Sequence, residues 1–267
     1  MSVLTDHKRK QKNLKNIVKA CQHLLRNSKN AKITREYLNS RLDIDDQTTW
    51  QFGYFPNDSN LKELTDIVSK NDLEEFNLYY PKFLAGGSSP HGHFSDHNLI
   101  LPFKDEHEDV IALLGRCLLP EEERVENLLQ KYKYSNGCSK ELYVYGLNKA
   151  KASIIEKDFV IGVEGQFDCI SLHSRGIDNA IAFGWANMSK YQLFKLHRYT
   201  NNIVLMFDND EAGQKAKTRV KKRFKEVANI KVVNPPKNFK DIEEFFRGCK
   251  DPEFIQIIIN KIQSFGS

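Results

Sequence analysis

From residue 158 onward, short apolar runs alternate with longer amphipathic ones. Residues 159–163, 180–183, 203–207 and 230–233 have strand length and are rich in branched apolar side chains. Between them, residues 166–175, 189–198 and 211–227 repeat apolar positions at helical spacing. Gly176 stands in the C-cap position of the first helix, and Pro235 and Pro236 close the last strand. Strands alternating with helices predict parallel βαβ units. Two helices are expected after residue 236, the last opening on Asp251 and Pro252, an N-cap followed by proline at the first helical position.

The first half follows a different pattern. Leu14, Ile17, Val18, Cys21, Leu24 and Leu25 recur at helical spacing within residues 1–30. A second helix is predicted over 34–42, then a polar turn, then an aromatic cluster of Trp50, Phe52, Tyr54 and Phe55. Short helices are expected near 61–69 and 72–76. Residues 85–97, AGGSSPHGHFSDH, have turn chemistry and are expected to form a flexible surface loop. Two strand-like runs, 99–103 and 110–114, flank the charged turn KDEHED in a hairpin pattern. A charged helix is expected over 120–131, and a loop from Lys133 to Gly137. The natural division lies near residue 155. The predicted class is α/β: a basic helix over 1–30, an α+β subdomain over 31–155, a mainly parallel sheet over 156–236 and a short helical segment over 237–267.

Composition narrows the compartment and the partner. The chain has 267 residues, 40% hydrophobic and 28% charged, ordinary for a soluble protein. Its five cysteines form no Cys-x-x-Cys pair and are odd in number, which argues against a zinc ribbon and a disulfide framework. Most are expected to be buried thiols in a reducing compartment. No apolar run of signal or membrane-spanning length is present, so a cytoplasmic protein without a membrane partner is expected. Residues 1–30 hold eight Lys or Arg, Lys8, Arg9 and Lys10 among them, against Asp6 alone. Residues 215–225 hold seven, including Lys215, Lys217 and Arg219, and no acid. Such blocks suit a polyanion, or a solvated helix face.

The candidate chemistry lies at strand ends. Ligands of open parallel sheets bind beyond the carboxyl ends of the strands. Glu164 directly follows one predicted strand, and Asp208, Asn209 and Asp210 follow another. In extended backbone, residues two apart share a side, so Asp208 and Asp210 can face one point with Asn209 turned away. Carboxylates without His or Cys favour magnesium or manganese. The alternative is that Asp208 and Asp210 only cap and turn the chain into the next helix.

The residues around these acids resemble the Toprim domain of DnaG-type primases. The motifs are Glu164-Gly165-Gln166-Phe167-Asp168, then Gly184 with Ser189 nearby, then Asp208-Asn209-Asp210-Glu211-Ala212-Gly213-Gln214-Lys215-Ala216. The likeness continues upstream in YLNSRLDIDDQTTWQFGYFP, in Leu99-Ile100-Leu101-Pro102-Phe103, in Gly115-Arg116, in Lys133-Tyr134-Ser135-Asn136 and in Leu142-Tyr143-Val144-Tyr145-Gly146-Leu147. Downstream, Lys240-Asp241-Ile242-Glu243-Glu244 is similar to the family's acidic Asp-Pro-Asp motif. The resemblance spans roughly residues 31–262.

It implies a primase that transfers nucleotides from NTPs to an RNA 3′-hydroxyl on single-stranded DNA. Glu164, Asp208 and Asp210 would be the catalytic set. Asp168, Asp241 and Glu243 would join them in holding two or more Mg2+ or Mn2+ ions. Arg116, Lys133 and Asn136 would contact template or nucleotide, and Lys215, Lys217, Arg219, Lys8, Arg9 and Lys10 the nucleic acid. A replicative helicase is the candidate protein partner. A Toprim nuclease and a non-catalytic replisome subunit are the alternatives. Two departures stand out. No zinc-binding domain is expected, because His91, His93 and His97 lack a fourth partner, and no zinc is expected with it. Ile242 and Glu243 replace the proline and second aspartate of the acidic motif. A minimal core from a phage or plasmid replication system is the expected context.

Overall fold

In the computed structural model, which describes residues 3–81 and 89–266, the N-terminal apolar stripe becomes a 25-residue helix, α1 (Val3–Asn27). Leu14, Ile17, Val18, Cys21, Leu24 and Leu25 are buried, while Lys8, Lys12, Lys19 and Arg26 on the other side are exposed. Then come α2 (Lys32–Asn39), α3 (Ile44–Thr49) and β1 (Gly53–Tyr54). A Cβ on Gly53 would stand 2.6 Å from Cys21 Cβ, so β1 lies backbone-close against α1. The helix is thus a core element and not a detachable arm. Burial pushes the Cys21 thiol up to about 12, as expected of an inert core cysteine.

The chain continues through α4 (Lys62–Thr65), α5 (Lys70–Glu75), β2 (Tyr79–Tyr80), β3 (His91–Gly92), β4 (Leu99–Lys104), β5 (Val110–Arg116), α6 (Glu121–Glu126) and β6 (Tyr132–Tyr134). One sheet runs β1-β4-β5-β6, with β1 antiparallel to β4 and β5 antiparallel to β6; β2 and β3 form a separate two-stranded pair. Residues 1–103 and 109–138 make one compact unit, and residues 104–108 and 139–267 the other.

The second unit holds α7 (Leu147–Lys157), β7 (Val160–Val163), α8 (Gln166–His173), β8 (Ala180–Ala182), α9 (Lys190–Leu196), β9 (Asn202–Leu205), α10 (Glu211–Phe224), β10 (Asn229–Val232), α11 (Ile242–Gly248) and α12 (Pro252–Gln263). Its four strands are parallel, in the order β10-β9-β7-β8. β7 and β9 are neighbours, which brings the two predicted acidic strand ends side by side. Caps fix the helices locally. Ser189 and Gln192 form a capping box at α9, and Asp251 caps α12 ahead of Pro252. The core beneath α10 includes Ala216, Val220 and Phe224, packed with Phe183 and Phe207.

Several expectations are corrected. The polar turn after residue 42 contains α3, because Asp43 accepts the Asp46 N–H and caps it. The charged helix over 120–131 shortens to α6. Lys133 and Tyr134 lie in β6, not in a loop. The segment 147–157, given no element from sequence, is α7. Residues 85–88 of the predicted flexible loop lie outside the described residues. Of the rest, His93, Phe94, Ser95 and His97 are buried. His93 donates through Nε2 to Tyr134 O (2.9 Å) and His97 to Gln130 O (2.8 Å). The carbonyl acceptors make these histidines structural fasteners, and burial holds both imidazoles below the usual histidine range. Among the described residues no helix is long and apolar enough to cross a membrane.

Candidate active site

All six acidic residues singled out from the sequence lie in the second unit. Glu164 follows β7. Asp168 sits in the first turn of α8 and is buried. Asp208 follows the buried pair Met206 and Phe207 at the end of β9. Asp210 caps α10, its Oδ1 accepting the Gly213 N–H at 2.8 Å. Asp241 caps α11, its Oδ1 accepting the Glu244 N–H at 2.7 Å.

Asn209 explains how Asp241 comes beside Asp208. Its side-chain amide donates to Pro235 O (3.1 Å) and Phe239 O (2.7 Å), and its backbone N–H to Lys240 O (2.7 Å). That clamp ties residues 235–240 to the end of β9. One carboxylate oxygen each from Asp168, Asp208 and Asp241 then lie within 4.8 Å of one another. Three hard oxygen donors at that spacing fit a divalent cation. The sequence placed Asp210 in the leading set and Asp168 and Asp241 behind it. In the structure Asp168, Asp208 and Asp241 converge, while Asp210 both caps α10 and flanks them. The alternative reading of Asp210 as a cap is therefore also correct.

Two glycines allow the approach. A Cβ on Gly165 would stand 2.7 Å from Asp168 Oδ2. A Cβ on Gly213 would stand 2.3 Å from Asp208 O and 3.0 Å from Glu164 Oε1.

Burial and like-charge repulsion set the electrostatics of the site. Burial, then the charges of Asp208 and Asp210, raise the Glu164 carboxyl to about 7, against the pull of the Asp208 N–H that donates to its Oε1 at 3.0 Å. Burial, then Asp241 and Asp208, push Asp168 well above the usual carboxylate range. Asp210 is held low, first by the Gly213 N–H. Two lysines supply compensation. Lys240 Nζ lies 3.7 Å from Asp208 Oδ2 and 3.4 Å from Asp210 Oδ2. Lys217 is buried, with Nζ 2.7 Å from Asn234 Oδ1. It was assigned to the nucleic-acid face from sequence; burial removes it from that face. The missed signal was its spacing, four residues after Gly213 and three before Val220, on the inward stripe of α10.

A pH dependence of stability follows. A carboxyl whose folded pKa exceeds its unfolded value of roughly 4.3 holds its proton more tightly in the folded state. Glu164 therefore contributes stability to the metal-free protein that is present below about pH 4.3 and is lost as pH rises to the folded value near 7. Asp168 acts in the same direction. Glu164→Gln keeps the acceptor for the Asp208 N–H without the charge. In EDTA the variant is expected to melt higher than wild type at pH 8 and to show a smaller gap in Tm between pH 5 and pH 8. An unchanged gap would refute the burial of a titrating Glu164.

The other predicted contacts divide. Glu243 donates its backbone N–H to Asp168 Oδ1 (3.2 Å) and holds Arg247 through its carboxylate (3.2 Å), so it orients Asp168. In the first unit, Arg116 lies over the rings of Tyr37 and Tyr132, each 5.1 Å away, and donates to the Tyr132 hydroxyl. Lys133 donates to His93 O (2.8 Å), and Asn136 to the Tyr80 hydroxyl (3.1 Å). On α1, Lys8 is exposed, but Arg9 pairs with Glu75 and Asp6 and Lys10 with Asp6. On α10, Lys215 pairs with Glu211 and Arg219 donates to Ala186 O (2.9 Å); both remain exposed.

Two family models match the chain in succession. Residues 20–151 match the N-terminal domain of the DNA primase catalytic core, and residues 161–246 match a Toprim-like domain. The DNA primase of Thermotoga maritima is 30% identical over 218 residues, 81% of this chain and 38% of that protein. That of Clostridium acetobutylicum is 28% identical over 246 residues, 92% of this chain and 40% of that protein. The chain thus spans about two fifths of the length of these relatives. Among solved structures, the zinc-binding and RNA polymerase domains of the Aquifex aeolicus primase superpose with a TM-score of 0.77 at 23% identity, over 96% of this chain and 61% of that one. A DnaG primase catalytic domain bound to single-stranded DNA gives 0.74 at 20% identity, over 97% and 82%. With both domain matches in order along one chain, and the fold of the primase core around them, the chain belongs to the DnaG-type primase catalytic-core family.

Proposed function

We propose that the chain synthesises short RNA primers on single-stranded DNA by metal-dependent nucleotidyl transfer. The observation that carries this reading is the convergence of Asp168, Asp208 and Asp241 within 4.8 Å, in a chain that also holds a primase-type N-terminal domain. A Toprim fold alone would serve a nuclease equally well; the N-terminal domain favours the primase. Mg2+ or Mn2+ held by these three carboxylates would neutralise them, draw in triphosphate oxygens and stabilise the attacking and leaving oxygens. Asp210 flanks the site, and Glu243 orients Asp168. Glu164 beside them would take the proton of the RNA 3′-hydroxyl as that oxygen attacks the α-phosphate and pyrophosphate departs. NTPs are the substrates, cytoplasmic single-stranded DNA the template and a replicative helicase the candidate partner.

The test is incubation with single-stranded DNA, the four NTPs and Mg2+ or Mn2+, with and without a candidate helicase. RNA product is expected. Shortened DNA would mean a nuclease, and a shifted but unchanged strand a binding subunit.

Template binding should depend steeply on salt. Lys221, Lys222 and Arg223 are exposed on α10. Each phosphate contact on a single strand contributes about 0.7 to the slope of log K against log salt. Replacing the three with serine is therefore expected to flatten that slope by about 2. An unchanged slope would put the template on another face.

A further inference from the structure

Two lysines face the acidic site, and their surroundings differ. Lys217 is buried and fastened to Asn234, so it is a fixed charge. The backbone of Lys240 is fastened on both sides. Its carbonyl accepts the Asn209 N–H at 2.7 Å, and its own N–H donates to Glu244 Oε2 at 2.6 Å. Its side chain is 56% exposed and reaches back to the second oxygens of Asp208 and Asp210. An ammonium on a flexible four-carbon arm can leave such a position without disturbing its anchor. A divalent ion taking Asp208 meets that ammonium and repels it.

We propose that Lys240 is an exchangeable internal counter-ion that holds Asp208 and Asp210 in the metal-free protein and swings onto the nucleotide triphosphate when a divalent ion displaces it. The inference rests on the metal-site reading above. Its consequence is a coupling: Lys240 opposes metal binding while no nucleotide is present, and favours nucleotide once metal is bound. The device would keep the site closed until both arrive.

The experiment uses the full chain with Lys240→Met, which keeps the arm and removes the charge. Mn2+ binding without nucleotide is followed by the electron paramagnetic resonance signal of free Mn2+, and ATP binding in saturating Mg2+ by calorimetry. Loss of a partly exposed pair of this kind is expected to change affinity by about twofold to fivefold. Mn2+ affinity should rise by that factor and ATP affinity should fall by it. Lys240→Arg, which keeps the charge, should stay near wild type in both. Opposite signs are the signature, since a lysine needed only for folding would weaken both ligands and one that only contacts nucleotide would leave Mn2+ unchanged. Unchanged or weaker Mn2+ binding in Lys240→Met, with wild type binding normally, overturns the inference and leaves the metal site standing. Failure of wild type to bind Mn2+ overturns both.

Discussion

Asp208→Ala is expected to lower primer synthesis by about three orders of magnitude, while the protein remains folded and still binds template. The carboxylate is one of three that converge within 4.8 Å, and the other two are also aspartates on different elements. Without it the remaining pair lacks the donors to hold an ion against the triphosphate. Such an ion supplies several kcal/mol of charge stabilisation, and each 1.36 kcal/mol is about tenfold in rate. Stability should hardly suffer. The Asp208 N–H still reaches Glu164, and relief of repulsion among the acids offsets the lost contact with Lys240. Asp210 needs a different substitution, because its side chain caps α10 and alanine there would cost about 1 kcal/mol of stability. Asp210→Asn preserves the cap and removes the charge, and it separates catalysis from folding. Primer yield per unit time and the melting curve are the paired measurements. Synthesis within tenfold of wild type in Asp208→Ala would remove Asp208 from the catalytic centre.

Gly213→Ala should do as much damage by steric means alone. The added Cβ would sit 2.3 Å from Asp208 O and 2.9 Å from its carbonyl carbon, which are backbone atoms that cannot rotate away. It would also meet Glu164 Oε1 at 3.0 Å. Either the first turn of α10 lifts or the end of β9 shifts, and both carry acids of the site. Overpacking of this kind typically costs about 1–3 kcal/mol, and at a backbone contact it should lie toward the upper end. Here the displacement also separates Asp208 from Asp168 and Asp241, so Mn2+ binding and primer synthesis should both be lost. The check is thermal melting with Mn2+ titration. Wild-type values for both would show that the close approach relaxes without cost.

Much of the second unit was legible because its signals are local. Four apolar runs, the Gly176 stop and the Asp251-Pro252 start each lie within a few residues of the element they specify. The same holds for the placement of Glu164 and Asp208 at strand ends, since a strand and the residue after it are contiguous. Elements with weak local contrast were not legible. In α7 the buried positions are Leu147, Asn148, Ala150 and Ile154, a stripe too small and too polar to stand out. The histidine segment looked like a loop from its turn residues, yet burial and hydrogen bonds to the carbonyls of Gln130 and Tyr134 fix it.

Sequence by itself therefore determined the βαβ order, the family and the chemical type of the site. Only the tertiary structure decided which acids meet. Asp168 lies on a helix and Asp241 caps another, 73 positions along the chain. They converge on Asp208 because β7 lies beside β9 and Asn209 clamps the segment before Asp241. The two lysines likewise acquired opposite roles from packing. One was carried inward on the apolar stripe of α10, and the other was left on an exposed arm paired with Asp208 and Asp210. Periodicity records which face of an element is apolar; it does not record what that face is packed against, and that neighbour sets charge, burial and reach.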